Sequence, residues 1–259
     1  MGISTKIQWC DSTCNPTMGC DGCELWDAKT GDFSCYAGTL HRRYGATAKG
    51  FSPTFDQVTL WPGRMEIASK WADLTGCVRP VKPWLDGMPR LIFVSDMSDA
   101  LSSGVDFDFL FREVFENVTS DNGARHKWLW LTKRPDRMAS FSVYMRQRGL
   151  EWPENLWAGT SITNQKSVRR LSGLSRVGND RTVRFVSLEP QRERVNLQGA
   201  LGGVGWLIQG GESGTSSHSF EMGWISETLD ACREQNVAYF LKQLGSHVVV
   251  AGVRGPGRT

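Results

Sequence analysis

The sequence predicts a mixed α/β fold, namely a partial or complete parallel β/α barrel related to TIM barrels, with an N-terminal cysteine-rich loop. Two observations lead to this class. Short, nearly continuous apolar runs recur along the chain, and segments of helical periodicity lie between them. Strands that alternate with helices form a parallel sheet with right-handed crossovers. Each apolar run also ends in polar residues, which in a barrel converge on one rim.

Six apolar runs are the predicted strands. Each is too short for a buried helix and is nearly continuous, as expected for a strand covered on both faces. They occupy residues 91–94, 128–131, 156–158, 183–186, 206–208 and 238–241. A seventh, weaker strand is predicted at residues 6–9, ahead of the cysteines.

Helical periodicity is clearest over residues 107–119, where apolar side chains recur every three or four positions. Shorter helices are predicted at residues 166–174 and 224–235. We therefore expect each later strand to be followed by a helix or a loop that returns the chain to the same end of the sheet.

The alternation of predicted strands and helices is interrupted between about residues 41 and 89, where prolines and tryptophans are scattered. This insertion is expected to contain a short helix near residues 64–74. It is either a lid that faces the substrate or a structural wrapping of the barrel. We predict a single domain over residues 1–246 and a flexible tail over residues 247–259.

Five of the seven cysteines lie within the first 35 residues. They are Cys10, Cys14, Cys20, Cys23 and Cys35. Two thiolates separated by two residues can bind one metal, and a third that returns after a short excursion completes a three-point site. The pattern favours a metal or iron–sulfur site, with disulfides or unligated thiols as the alternative.

The cellular compartment supports metal binding over disulfides. The first nine residues show no basic segment followed by an apolar stretch, so we expect no signal peptide and a cytoplasmic protein. In a reducing cytoplasm, clustered cysteines bind metals or perform redox chemistry more often than they pair.

Charge and hydropathy exclude two classes of partner. The chain has 30 basic and 27 acidic residues, a net charge of +3, so it is not a globally basic nucleic-acid binder. Contact with nucleic acid would need a local basic patch. No apolar run approaches the ~18–20 residues of a transmembrane helix, so no membrane contact is expected.

Nine short motifs follow one another along almost the whole chain. They are Ile-Gln-Trp at 7–9, Asn-Pro-Thr-Met-Gly-Cys at 15–20, Cys-Tyr-Ala at 35–37, Met-Ser-Asp at 97–99, Leu-Thr-Lys-Arg-Pro at 131–135, Gly-Thr-Ser at 159–161, Phe-Val-Ser-Leu-Glu-Pro at 185–190, Gly-Gly-Glu-Ser-Gly at 210–214 and Phe-Leu-Lys-Gln at 240–243. Together they closely resemble a phage-associated three-cysteine family, named after gene products thirty-seven and sixty-eight and carried as a domain of unknown function. That family is similar to radical S-adenosylmethionine enzymes, which are partial β/α barrels with three cysteines after the first strand.

The resemblance implies that Cys20, Cys23 and Cys35 hold a [4Fe-4S] cluster. The iron that lacks a protein ligand would then bind S-adenosylmethionine, and an electron from a donor would cleave this cofactor reductively. The spacing of two and then eleven residues departs from the usual three and two. Zinc held by the same three cysteines and either Cys10 or Cys14 is therefore the alternative.

Polar residues at the predicted strand ends are candidates for cofactor binding. Paired glycines let the main chain approach a ligand, and the acid that follows can hydrogen-bond a ribose or an ammonium group. The candidates are Ser98, Asp99, Thr160, Ser161, Gly210, Gly211 and Glu212. The alternative for each is a strand-to-helix turn with a helix cap.

Two groups of charged residues are candidates for substrate handling. Glu189 and Lys242 could hold the substrate or move a proton, or could form a buried ion pair that braces the barrel. Lys133, Arg134 and Arg137, together with Arg42 and Arg43 after the cysteines, could bind phosphates, or could be solvated or paired with acids.

The sequence thus leaves two functions open. The first is a radical S-adenosylmethionine enzyme with a nucleic-acid or nucleotide substrate, such as a base in phage DNA, working in the host cytoplasm. The second is a non-catalytic phage binding module in which zinc or a cluster staples the N-terminal loop. The substrate and the oligomeric state are not encoded in any recognisable pattern.

Overall fold

The structure is a computed structural model that describes residues 1–45, 49–215, 217–250 and 253–256. The chain divides into two compact units. The first comprises Met1–Thr132 and Val143–Leu156, and the second comprises Lys133–Ser142 and Trp157–Thr259. Residues 46–48 of the predicted insertion and residues 251, 252 and 257–259 of the predicted tail lie outside the described residues.

Three parallel strands form the sheet of the first unit. In chain order its elements are β1 (Ser12–Cys14), β2 (Thr17–Met18), α1 (Tyr36–Tyr44), β3 (Thr59–Leu60), α2 (Arg64–Ser69), β4 (Leu91–Val94), α3 (Phe107–Leu110), α4 (Glu116–Thr119) and β5 (Lys127–Thr132). Strands β1, β4 and β5 are neighbours in that order and run parallel. The predictions at 91–94 and 128–131 are confirmed, and β4 is buried along its whole length, as its apolar sequence requires.

The prediction of a strand at residues 6–9 is wrong, because the first strand, β1, begins at Ser12. The ammonium group of Lys82 accounts for the difference. It donates hydrogen bonds of 2.6–2.8 Å to three main-chain carbonyl oxygens. These belong to Thr5, Ile7 and Cys10. Carbonyls that converge on one cation are not available to a sheet ladder, so this segment forms a loop.

A buried ion pair joins the insertion to the first strands. The Arg79 guanidinium lies 2.7 Å from the Asp11 carboxylate, and both side chains are 8% exposed. The other carboxylate oxygen of Asp11 accepts a hydrogen bond of 2.9 Å from the main-chain N–H of Leu91, the first residue of β4. These contacts favour structural wrapping over a lid for this part of the insertion.

The predicted helix at 107–119 is confirmed, with an internal π-helical turn at Phe111–Phe115 between α3 and α4. Glu113 lies in that turn and accepts hydrogen bonds of 2.8 Å from the main-chain N–H groups of Gly63 and Met65. It therefore caps the N-terminus of α2. Burial raises the pKa of the Glu113 carboxyl, although these N–H groups act in the opposite direction.

The second unit contains four parallel strands. The elements from residue 135 onward are α5 (Pro135–Arg146), β6 (Leu156–Ser161), α6 (Arg170–Leu174), β7 (Arg184–Leu188), β8 (Trp206–Gly210), β9 (Phe220–Glu221), α7 (Gly223–Glu234), β10 (Ala238–Gln243), β11 (His247–Val250) and β12 (Val253–Pro256). Strands β6, β7, β8 and β10 follow one another in that order and run parallel. The four strands and the two helices predicted in this part of the chain are confirmed.

Mixed α/β structure with parallel strands is thus confirmed, and it is consistent with a partial β/α barrel. Two helices, α1 and α5, were not predicted. Within the predicted flexible tail, β11 and β12 pair antiparallel, and β11 also pairs parallel with β9. Among the described residues, no helix is long and apolar enough to cross a membrane.

The buried ion pair gives the first prediction. Asp11→Asn should lower the free energy of unfolding by about 3–5 kcal/mol, because Arg79 would stay buried without its counter-charge. Urea denaturation followed by tryptophan fluorescence measures this change. Glu66→Gln is the control, since the Glu66–Lys70 pair is exposed at 58% and 60% and should contribute little. Equal losses in the two variants would contradict the role of Asp11.

Candidate functional site

The three predicted ligand cysteines lie in the loop between β2 and α1. Cys20 donates its main-chain N–H to the carbonyl of Phe55 at 2.7 Å, and Cys35 donates to the carbonyl of Leu25 at 2.8 Å. All seven cysteines of the chain lie in the described residues and are thiols rather than disulfides. The alternative of disulfide bonding therefore has no support in the structure.

Trp26 is the centre of this loop. It forms a buried apolar cluster with Ala37 and Phe55, and Cys20 and Cys35 pack against that cluster. Cys23 is joined to Trp26 through the main chain, by reciprocal hydrogen bonds of 2.8 and 3.2 Å. The loop therefore connects all three cysteines to Trp26 or to the cluster that it forms, although they are up to fifteen positions apart in sequence.

The chemistry of these donors fits an iron–sulfur cluster, since all three are partly exposed thiols in one loop. Their present placement is not a preformed ligand set. In the part of the chain that the structure describes, no group of three or more cysteine, histidine, aspartate or glutamate side chains stands close enough to hold a metal ion. A cluster is thus supported by thiol chemistry and loop placement alone.

Cys10 and Cys14 differ from these three because both are fully buried. Burial raises the pKa of the Cys14 thiol to about 12. The protonated thiol donates to the carbonyl oxygen of Arg64 at 3.5 Å. A metal ligand must be a thiolate, so this environment argues against Cys14 as the fourth ligand of a zinc ion.

Ser98 lies where the cysteine loop begins. Its hydroxyl oxygen is 2.8 Å from both the hydroxyl and the carbonyl oxygen of Thr17. Gly19, which forms a parallel bridge with Ser98, has a φ of +81°. A Cβ atom there would lie 2.1 Å from the carbonyl oxygen of Gln57, so only glycine fits. Ser98 thus fixes the entry to the loop.

Asp99 and Asp96 occupy different environments. Both oxygens of Asp99 accept from the hydroxyl of Thr132, at 2.8 and 2.9 Å, and one accepts from the N–H of Leu101 at 3.0 Å. Asp96, which sequence reasoning missed, accepts from the side-chain amide of Asn15 at 2.6 Å, and burial raises its pKa. Both acids belong to one short run after β4, and no sequence signal tells which way each points.

In the second unit, Glu189 and Lys242 form an ion pair in which both side chains are mostly buried. Gly210, at the end of β8, makes room for it, since a Cβ atom there would lie 3.2 Å from the Glu189 carboxyl group. The structure therefore contains the ion pair that the sequence allowed as an alternative. A catalytic role for either residue remains a prediction.

Glu212 is engaged by two cationic or polar neighbours. One carboxylate oxygen accepts from the Arg192 guanidinium, and the other accepts from the main-chain N–H of His218 at 3.0 Å and contacts its Nδ1 at 2.6 Å. Burial alone would raise the pKa of Glu212, but these hydrogen bonds outweigh it and hold the pKa below its ordinary value. At Gly211, a Cβ atom would lie 2.3 Å from the Leu244 carbonyl oxygen.

The remaining predicted residues of the second unit lie at the ends of other elements. Thr160 and Ser161 are buried at the end of β6, and the carbonyl oxygen of Ser161 accepts from Arg170 at 2.9 Å. Lys133 and Arg134 are half-buried and lead directly into α5. Each unit thus carries part of the predicted set: the cysteines, Ser98 and Asp99 in the first, and the rest in the second.

A family model described as a protein of unknown function, DUF5131, matches residues 4–256 of the chain. No curated protein and no solved structure matches it. The matched span includes the cysteine loop and every strand end described above.

The environment of Glu212 gives a prediction about pH. Its folded pKa is depressed, so its stabilising contribution is present above the unfolded value of about 4.3 and is lost as the pH falls through the folded value. The free energy of unfolding should therefore fall as the pH is lowered from about 5, and Glu212→Gln should make that fall smaller. Urea titrations at several pH values measure it. Exposed Glu234→Gln is the control, and identical pH profiles for both variants and the wild type would contradict the assignment.

Proposed function

We propose that this chain, which belongs to the DUF5131 family of proteins of unknown function, is a radical S-adenosylmethionine-type iron–sulfur protein. It would cleave S-adenosylmethionine reductively and act on a nucleic-acid-related substrate, such as a base of phage DNA. The observation that carries the proposal is the gathering of Cys20, Cys23 and Cys35 around Trp26 in one loop. The fold supports it, since parallel strands joined by helices are the framework of partial β/α barrels.

The resemblance to the phage-associated three-cysteine family supplies the substrate class and the host cytoplasm as the place of action. It also supplies the ligand assignment. A bound cluster would supply one electron to the sulfonium of the cofactor. The reaction therefore also requires an external electron donor for the cluster.

The contribution of the chain itself is to hold the loop in place. The Asp21 carboxylate, next to the first cysteine, accepts hydrogen bonds of 2.7 and 2.8 Å from the main chain and hydroxyl of Ser103. Cys35 stands at the start of α1, whose Gly38 lies so close to Trp26 that a Cβ atom would be 2.3 Å from the ring. The loop is thus fixed at its start and at its end.

Asp96 is the carboxyl group of the first unit that we assign to the cofactor or to proton transfer. Asp96 lies near the cysteine loop, because Met97, the next residue, packs against the same Trp26 cluster as Cys20 and Cys35. Asp99, in contrast, is already engaged by Thr132 on both oxygens.

The second candidate function is a non-catalytic binding module with a structural zinc or cluster. It is favoured by the second unit, where strand-end charges neutralise one another. Glu189 pairs with Lys242, and Glu212 pairs with Arg192. Charged groups that pair in this way brace a fold without any chemistry.

Metal content separates the ligand cysteines from the others. Cys20→Ala, Cys23→Ala and Cys35→Ala should each lose iron and acid-labile sulfide after anaerobic reconstitution, and the brown absorbance near 400 nm should disappear. Cys77→Ala is the matched control, because Cys77 is exposed and outside the loop. Colourless wild-type protein that contains zinc would support the binding module. Full cluster content in Cys23→Ala would refute the ligand assignment.

Cofactor cleavage tests the chemistry directly. The reduced, reconstituted protein should convert S-adenosylmethionine slowly to 5′-deoxyadenosine and methionine, and Cys35→Ala should not. Liquid chromatography of the products measures it, with Cys77→Ala as the variant that keeps the activity. If a fully loaded and reduced protein gives no 5′-deoxyadenosine above the Cys35→Ala background, with and without phage-type DNA, the enzyme assignment fails.

A further inference from the structure

Helix α1 presents an aromatic and basic surface next to the cysteine loop. Tyr36 is 67% exposed and Tyr44 is 43% exposed, which is unusual for large aromatic side chains. The last turn carries Arg42 and Arg43, and the nine residues of the helix include no acid. We call Tyr36, Arg42, Arg43 and Tyr44 the α1 surface, of which Tyr36, Arg43 and Tyr44 share one side of the helix and Arg42 lies on the side that contacts Trp26.

We propose that the α1 surface binds single-stranded nucleic acid, with bases stacked on its tyrosines and phosphates bound by its arginines. Exposed aromatics interleaved with arginine are the usual platform for unpaired bases, because every base has a face that can stack. A duplex hides those faces. The inference takes only the class of substrate, nucleic acid, from the proposed function. Binding at this surface requires neither the cluster nor the cofactor.

Arg42 is held in position by aromatic rings. Its guanidinium carbon lies 4.3 Å from the centroid of Trp26 and 4.2 Å from that of Phe33. Stacking of this kind holds the planar group by its face, so that its in-plane N–H donors can still bind phosphate oxygens. Arg43 lies over Tyr44, at 5.2 Å from its ring centroid.

A cavity of about 310 Å³ adjoins this surface. Its walls include Trp26, His41, Arg42 and the chain at 53–56. This volume is at the lower end of the range for small-molecule sites. It suits one unpaired base better than a nucleic-acid duplex. Asp56 lies in the wall and accepts from the Trp26 indole at 2.8 Å, so a carboxylate acceptor is present for the amino group of a base.

Charge favours a polyanion over an apolar partner. The whole chain carries only +3, so a polyanion would be attracted by a local patch rather than by the molecule as a whole. The α1 surface supplies such a patch beside the proposed reaction centre. A base bound there would lie on the same helix that begins at Cys35.

Fluorescence anisotropy with labelled 15-nucleotide single-stranded DNA and RNA tests the proposal on the full chain, at several salt concentrations. The double variant Arg42→Gln/Arg43→Gln should bind more weakly, and the slope of log K against log salt should become shallower by about 1.4, for two lost phosphate contacts. Tyr36→Ala should weaken binding about tenfold, and Tyr36→Phe should restore it.

Lys166→Gln/Arg169→Gln removes the same charge from an exposed turn elsewhere and should leave both affinity and slope unchanged. Thermal unfolding checks that each variant folds. If the loss of Arg42 disturbs the Trp26 cluster, the variants of the exposed Tyr36 still test the proposal. Equal losses in the Lys166/Arg169 control, equal affinity for duplex DNA, or binding only to phosphatidylserine vesicles would overturn the proposal. All of these variants keep the three cysteines. Failure of nucleic-acid binding can therefore be distinguished from failure of cofactor cleavage.

Discussion

The N-terminal segment of the first unit is held in place by two cations of the insertion, Arg79 and Lys82. Arg79 neutralises Asp11, and Asp11 in turn binds the first N–H of β4. Lys82 donates hydrogen bonds to three main-chain carbonyl groups that precede β1. A buried charge is tolerated only when it is paired and fully hydrogen-bonded, and here each cation satisfies several acceptors at once. The placement of β1 beside β4 follows from this arrangement, and so does the start of the cysteine loop, which is only a few residues further along the chain.

The cysteine loop uses an apolar anchor in place of a charged one. Trp26 packs between the helix that begins at Cys35 and the chain at Phe55, and its indole N–H is satisfied by Asp56. A large ring with one polar atom suits this position, because it fills space on several sides and still leaves no unsatisfied donor. The same ring also contacts Arg42. One side chain therefore links the proposed ligand loop to the proposed nucleic-acid surface, so changes at Trp26 would affect both.

Apolar patterning was sufficient to predict six of the parallel strands, because a strand buried on both faces needs an uninterrupted apolar run. It failed for β1, which consists of Ser12, Thr13 and Cys14 and is buried despite its polar side chains. It also failed for α1, whose apolar face is short and whose packing depends on Gly38 meeting Trp26. The residue types at the strand ends were found, and the Glu189–Lys242 ion pair was one of the two alternatives that the sequence left open. Nothing in the sequence shows that Asp99 engages Thr132 or that Glu212 engages Arg192, since such contacts depend on how neighbouring segments fold together.

These pairings also divide the reactive groups of the chain into two kinds. The Glu189 and Glu212 carboxylates of the second unit are paired with cationic side chains, and hydrogen bonds hold the pKa of Glu212 below its ordinary value. Asp96 of the first unit is of the opposite kind, because burial raises its pKa and so favours its protonated form. A carboxyl group with a raised pKa can take part in proton transfer more readily. A carboxylate in an ion pair loses a favourable charge interaction when it is protonated. Chemistry that requires proton exchange is therefore better served by the first unit, where the cysteines also lie, and the charged pairs of the second unit are better suited to maintaining the positions of its strands.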